Sequence, residues 1–247
     1  MPRNRQKFLN TYLDNVSMDE AIDVILECVE QRRKAYIVPI NVDIVVKMEE
    51  DLYLRKITDE AELILADGKP LIWISDYRKQ PLKEKISGSD LVPLLCEKAA
   101  KKGFRLFILG GKPGVAEMAK AKMEKTTPEI KIAGTYAPPI GFEQDPAELD
   151  RINQMITDSE ADILLACLGC PKQEKFIYEN QKNYAAPVSV CAGATVDFLA
   201  GNVSRAPKWM SDHGLEWFYR FLQEPRRLFK RYFVDDLKIL KLVQKYR

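Results

Sequence analysis

Six short apolar runs rich in β-branched or aromatic residues, each separated from the next by a helical pattern, limit what this chain can fold into. They are AYIVPI (35–40), ELILA (62–66), FRLFIL (104–109), IKIAG (130–134), DILLACL (162–168) and PVSVCA (187–192). Strands without polar alternation are buried on both faces, and strands separated by helices pair in parallel through βαβ crossovers. Helical spacing covers 42–58, 89–102, 114–125, 146–158 and 172–182. A first helix opens at a capping box formed by Ser17 and Glu20. The expected architecture is an α/β, Rossmann-like body with a mostly parallel sheet of about six strands. At 247 residues the chain is long enough for one such core with an appendage.

In open sheets of this kind ligands bind beyond the carboxyl ends of the strands. The residues just after the six runs are Asn41, Asp67-Gly68, Gly110-Gly111, YAPPIGF (136–142), GCPKQE (169–174) and GATVD (193–197). Glycine and polar residues therefore collect along one edge. After about residue 204 the pattern changes to arginines interleaved with aromatics, and residues 205–247 are expected to form a helical C-terminal appendage to a body spanning 1–204. Apolar residues at Phe221, Leu222, Leu228, Phe229, Tyr232, Phe233, Leu237 and Leu240 recur at helical spacing, and Pro225 divides that stripe into two helices.

The net charge of +2 hides an asymmetry, because residues 205–247 hold 11 Lys and Arg against 5 Asp and Glu. A basic tail on a slightly acidic body points to an anionic partner. Nucleic acid fits poorly, since the body is acidic and no nucleic-acid-binding module is legible. A basic amphipathic segment beside a lipid phosphate fits better. No run approaches a membrane span, and the N-terminal residues lack a secretory signal core, so a cytoplasmic protein is expected. The five cysteines are then reduced thiols, with Cys28 and Cys96 on apolar helix faces.

Asp67 ends an apolar run and precedes a glycine. Desolvation there would raise its pKa and make it a usable base; an Asp-Gly turn or a helix cap explains the same dipeptide. LGGKPGVAE (109–117) suits a phosphate held by Gly110 and Gly111 at a helix N-terminus, or equally a tight βα turn. Cys167 and Cys170 form a C-x-x-C, yet Cys167 continues a strand and Gln173 faces the ligand edge, so a polar contact outranks redox chemistry. The single histidine, His213, leaves no His-rich metal site, and no cofactor or metal is expected. Arg220, Arg226, Arg227 and Arg231 flank aromatics as a solvated basic face or as diphosphate ligands.

GCPKQEKFI, GATVDFLAGNVSRAPKWM and GLEWFYRFLQEPRRLFKRY, with ADGKPLIW and LGGKPGVAE, resemble the WecG/TagA/CpsF family of bacterial glycosyltransferases across about residues 10–235. The resemblance implies an inverting, metal-independent transferase, peripheral on the cytoplasmic membrane face. It would move a sugar, N-acetylmannosamine foremost, from a UDP donor to N-acetylglucosamine on a polyprenyl diphosphate, for teichoic acid or related surface polymers. UDP-glucuronate or UDP-glucose as donor, or a non-catalytic UDP-binding module, are the alternatives. Carried over by motif, Asp67 is the base for the acceptor hydroxyl, while Asn41, Gly68, Lys85, Gly110, Gly111, Gln173 and Asp197 contact substrate. Arg220, Arg227, Lys230 and Arg231 would neutralise the diphosphate. Lys85 stands in EKISG where relatives often carry Arg, which leaves the donor sugar open. Self-association through exposed apolar surface is compatible with the resemblance.

Overall fold

In the computed structural model, residues 4–207, 209–210 and 213–246 are described. A hairpin of β1 (Arg5–Phe8) and β2 (Thr11–Asp14) leads into α1 (Met18–Glu30), β3 (Ala35–Ile40), α2 (Val42–Glu50), α3 (Leu52–Asp59) and β4 (Leu63–Ala66). Then come α4 (Lys69–Tyr77), α5 (Gly88–Lys101), β5 (Arg105–Gly110), α6 (Val115–Thr126), β6 (Lys131–Tyr136) and α7 (Pro146–Asp158). The body closes with β7 (Ile163–Cys167), α8 (Lys172–Asn180), β8 (Val188–Cys191) and α9 (Thr195–Ala200). Beyond it lie α10 (Glu216–Gln223), α11 (Pro225–Lys230) and α12 (Ile239–Lys245), the last two joined by a π turn over Arg231–Asp235 and a 3-10 turn over Asp236–Lys238.

All six central strands run parallel, in the order β4-β3-β8-β7-β5-β6. The unbroken apolar runs have a direct cause. In β3, Val38 and Ile40 pack into the core layer that α2, α3 and α8 share, while Ile37 packs into the opposite layer with α1, α5 and α6. Strand β4 divides the same way, Ile64 to one side and Leu63 with Leu65 to the other. Each such side chain removed from water contributes roughly 1.5–3 kcal/mol against the entropy of ordering the chain.

Helices α4 and α9 lie where no helix is expected from the sequence, and two further features depart from the expected elements. The single helix over 42–58 is two helices, because Asp51 ends α2 with a non-helical backbone and its Oδ1 accepts from the Leu54 N–H at 2.8 Å to start α3. The β1-β2 hairpin lies outside the expected strands, since its residues are largely polar. It is held by Phe8, Leu9 and Leu13, which are buried in the core, and by charge: the Arg5 guanidinium pairs with Asp14 at 2.8 Å and donates to the carbonyls of Asp59, Ala61 and Glu62. Asp14 Oδ2 in turn accepts from the Ile64 N–H, which ties the hairpin to β4.

The chain returns to the body at its end. Ile239 and Leu242 of α12 are buried in the α2 layer, and Glu49 of α2 accepts from Lys245 Nζ at 2.6 Å and from the Tyr246 hydroxyl at 3.1 Å. Arg78 donates to the Tyr246 carbonyl. The segment between α9 and α12 is thereby anchored at both ends.

Candidate active site

The carboxyl ends of β4, β3, β8 and β7 converge beneath α10 and α11, and two adjoining cavities open there. The larger, about 510 Å³, is lined from the body by Asn41, Asp67, Gln173 and Gly193 and from the tail by Arg220, Arg227, Lys230 and Arg231. The smaller, about 130 Å³, lies against Asp67, Gly68, Lys85, Trp217, Tyr232 and Asp236. Asn41, Asp67, Glu216, Arg220 and Arg231 border both. Nine of the positions picked out in the sequence meet here, drawn from three strand ends, the segment before α5 and the tail.

Asp67 follows β4 because its N–H donates to the Ile40 carbonyl and extends the β3-β4 pairing by one residue. Gly68 then takes φ +123°, a backbone conformation costly for a residue with a side chain, and turns the chain into α4. Asp67 therefore does not cap that helix: α4 has no side-chain cap. Among the described residues nothing hydrogen-bonds its carboxylate. Burial pushes its pKa up to about 6; Lys85 and Arg220 pull it down, and Glu216 and Asp90 add to the rise. A carboxylate so placed is free to accept a proton from something that enters the cleft.

Lys85 is the cation whose charge acts most strongly on Asp67. Burial works against its charge, but its 2.7 Å hydrogen bond to Asp90 and the charges of Asp90, Glu216 and Asp67 hold its pKa above the ordinary lysine value. Asp90 is kept at about 2, its burial being outweighed by Lys85, Ser87 and Arg205. Glu216, from the tail, approaches Lys85 at 3.7 Å. Asn41 caps α2, its Oδ1 accepting from the Ile44 N–H at 3.2 Å, which leaves its amide nitrogen for the cavity. Gln173 Oε1 accepts from the Gly193 N–H at 3.0 Å.

The tail supplies cations that are only loosely satisfied. Arg220 lies over the Phe198 ring at 5.5 Å, and its Nε is buried without a hydrogen-bond partner. Arg231 sits 3.8 Å from Asp43 and 4.0 Å from Asp236, and its Nε is likewise unpartnered. Asp236 itself is pushed up to about 6 by burial, Arg231 opposing and Asp43 and Asp235 reinforcing. Arg227 pairs with Glu224 on its own helix. Guanidinium groups with unused donors, converging on a cleft, suit a diphosphate.

Three expected contacts fall elsewhere. Gly110 ends β5 and Gly111 follows it, and both line neither cavity: β5 lies on the far side of β7, two strands from β8 and three from β3. A Cβ on Gly110 would come within 2.4 Å of the Cys167 carbonyl oxygen, so this glycine serves the close approach of β5 to β7. Asp197 belongs to α9, between the cavity-lining Thr195 and Phe198, but lines neither cavity. Glu216, Trp217, Tyr232 and Asp236 join the cleft without having stood out in the sequence: all four lie in the aromatic-basic tail, where spacing alone does not separate a cleft-facing residue from an exposed one. Cys167 is buried at the end of β7, and Cys170 borders the cleft. Among the described residues no three His, Cys, Asp or Glu side chains converge on a metal-sized space, and no helix is long and apolar enough to cross a membrane.

The model of the glycosyl transferase WecG/TagA/CpsF family matches residues 6–247. A Bacillus subtilis (strain 168) protein, N-acetylglucosaminyldiphosphoundecaprenol N-acetyl-beta-D-mannosaminyltransferase, is 33% identical over 199 residues, covering 81% of this chain and 75% of that protein.

Proposed function

Because the chain belongs to the WecG/TagA/CpsF family of glycosyltransferases, we propose that it transfers N-acetylmannosamine from a UDP donor to an N-acetylglucosamine carried on a polyprenyl diphosphate, with inversion and without a metal. The observation that carries this reading is Asp67: a carboxylate with no hydrogen-bond partner among the described residues, its pKa raised to about 6, on the wall shared by two cavities and facing loosely held arginines. The acceptor's identity is taken from the Bacillus relative, whose name specifies an N-acetylglucosaminyl diphosphoundecaprenol.

A sugar hydroxyl is a poor nucleophile until its proton is removed. Asp67 accepts that proton as the acceptor oxygen forms its bond to the anomeric carbon and the bond from that carbon to the UDP oxygen breaks. One displacement inverts the centre. Negative charge accumulates on the departing diphosphate, where Arg220, Arg227, Lys230 and Arg231 stabilise it. The larger cavity suits the nucleotide sugar, and the smaller one, closed by Trp217 and Tyr232, suits the acceptor sugar.

The decisive test is a panel of UDP-sugars offered with a short-chain GlcNAc-diphosphate lipid, with and without chelator. Release of UDP and product formation with UDP-N-acetylmannosamine, unaffected by chelator, is the expected outcome. Turnover with UDP-glucose or UDP-glucuronate alone would replace the donor assignment. Binding of UDP without turnover on any donor would make this a non-catalytic nucleotide-binding member.

A further inference from the structure

Beside the cleft lies a buried carboxyl that lines neither cavity. Glu174, in the first turn of α8, is 1% exposed. Its Oε1 accepts from Gln173 Nε2 at 2.9 Å, and Gln173 Oε1 accepts from the Gly193 N–H at 3.0 Å. A backbone N–H can only donate, so the group it meets must be the amide oxygen; the nitrogen then faces an acceptor, which Glu174 provides. The orientation of the Gln173 amide is thus fixed from both ends. Nε2 carries a second hydrogen that neither contact uses, and Gln173 lines the larger cavity.

Among the described residues Glu174 forms no ion pair. Its Oε2 makes no well-formed hydrogen bond, and burial pushes its pKa upward against the pull of Gln173, its own backbone N–H, the Cys170 thiol and the charge of Lys47. Such a group is costly to keep in a core unless it does something specific. We propose that Glu174 is a positioning residue: it holds the Gln173 amide so that an N–H, rather than the carbonyl, is offered to an acceptor oxygen of the nucleotide sugar. This rests on the transferase reading above.

A double-mutant cycle tests it, with UDP-N-acetylmannosamine as the titrated probe. Glu174→Met keeps the volume and removes the acceptor, and is expected to raise the probe's Kd and KM about tenfold while acceptor KM stays within about twofold. Glu174→Gln, whose carbonyl still accepts, should restore binding to within about threefold of the wild type. Gln173→Ala should also cost about tenfold, and the double variant should be no weaker than Gln173→Ala alone, because both changes remove one contact. Losses that multiply, a folded Glu174→Met protein that binds like wild type, or Glu174→Gln as weak as Glu174→Met would each overturn the proposal. If the Met variant does not fold, Glu174→Ala runs the same cycle. Wild-type protein that binds neither UDP-N-acetylmannosamine nor UDP would defeat the transferase reading itself; wild-type binding with unresponsive variants defeats the positioning role alone.

Discussion

A carboxylate that must take a proton near neutral pH is placed where ionisation is expensive, and Asp67 shows both sides of that arrangement. Its folded pKa, about 6, stands above the ordinary value of 3.8, with burial the largest cause. Folding therefore favours the protonated form: the associated stability is fully present below pH 3.8 and is lost as pH rises through 6. Asp67 is half-buried on the cleft wall, so holding its carboxylate ionised there at pH 7.5 works against folding by on the order of 1–3 kcal/mol. Asp67→Asn, which cannot ionise, should lower turnover by at least about 100-fold while UDP affinity stays within about twofold, and should melt higher than wild type at pH 7.5. The gain in melting temperature should shrink as the buffer approaches pH 4. Rate measurements on wild type should show kcat/KM rising through an apparent pKa near 6, that of the ligand-free protein, to a plateau, because only the ionised form accepts the proton. A flat profile between pH 5 and 7.5 would remove Asp67 as the base.

At the scale of elements, the order of strands decides which loops meet. Each of the six runs in the sequence forms a strand, and the edge at which ligands bind was legible from the residues that follow them. The order β4-β3-β8-β7-β5-β6 was not, because pairing between strands far apart in sequence leaves no local signature. That order sets β5 on the far side of β7 from β8, β3 and β4, and Gly110 and Gly111 line neither cavity, although their sequence, a glycine pair opening a helix, is what a phosphate loop would also show. Gly110→Ala makes the distinction measurable. Its Cβ would sit 2.4 Å from a backbone oxygen at φ +114°, so the variant should lose stability by more than about 1 kcal/mol, while UDP Kd of the folded fraction stays within about twofold. A phosphate role would reverse that pattern, with affinity falling and melting temperature holding. The hairpin β1-β2 escapes a reading of local pattern for a related reason: Arg5 and Asp14 reach β4 and the α3 terminus while Phe8 and Leu13 reach the core, contacts that neighbouring residues do not encode. Asp51, by contrast, carries a readable signal, an N-cap residue inside a helical stretch.

On the scale of the whole molecule, the tail both completes the cleft and presents an apolar face. Arg220, Arg227, Lys230 and Arg231 line the cleft, while rings that line neither cavity gather beside one another: Phe229 lies 5.2 Å from Phe233, and Phe233 5.3 Å from Phe221. Phe218, Phe229 and Phe233 are each at least 40% exposed, and Leu222, Leu237 and Leu240 more than half. A soluble surface rarely gathers so much apolar area without something to cover it. A lipid-linked acceptor would bring its sugar to the cleft from a membrane, and aromatic side chains beside a basic segment are suited to seat on an anionic bilayer surface. Anchoring at both ends, through α9 on one side and Glu49 with Tyr246 on the other, would let that contact carry the cleft toward the headgroups as a unit. Replacing Phe229 and Phe233 together with Ser should lower affinity for vesicles containing anionic phospholipid by at least about tenfold, since burying even part of two rings contributes several kcal/mol. UDP affinity measured without vesicles should change by less than about twofold, and transfer to a water-soluble acceptor should persist while transfer to a long-chain lipid acceptor in vesicles falls. Equal vesicle binding by the Ser variant and the wild type would place the membrane contact elsewhere and leave the aromatic face for a protein partner.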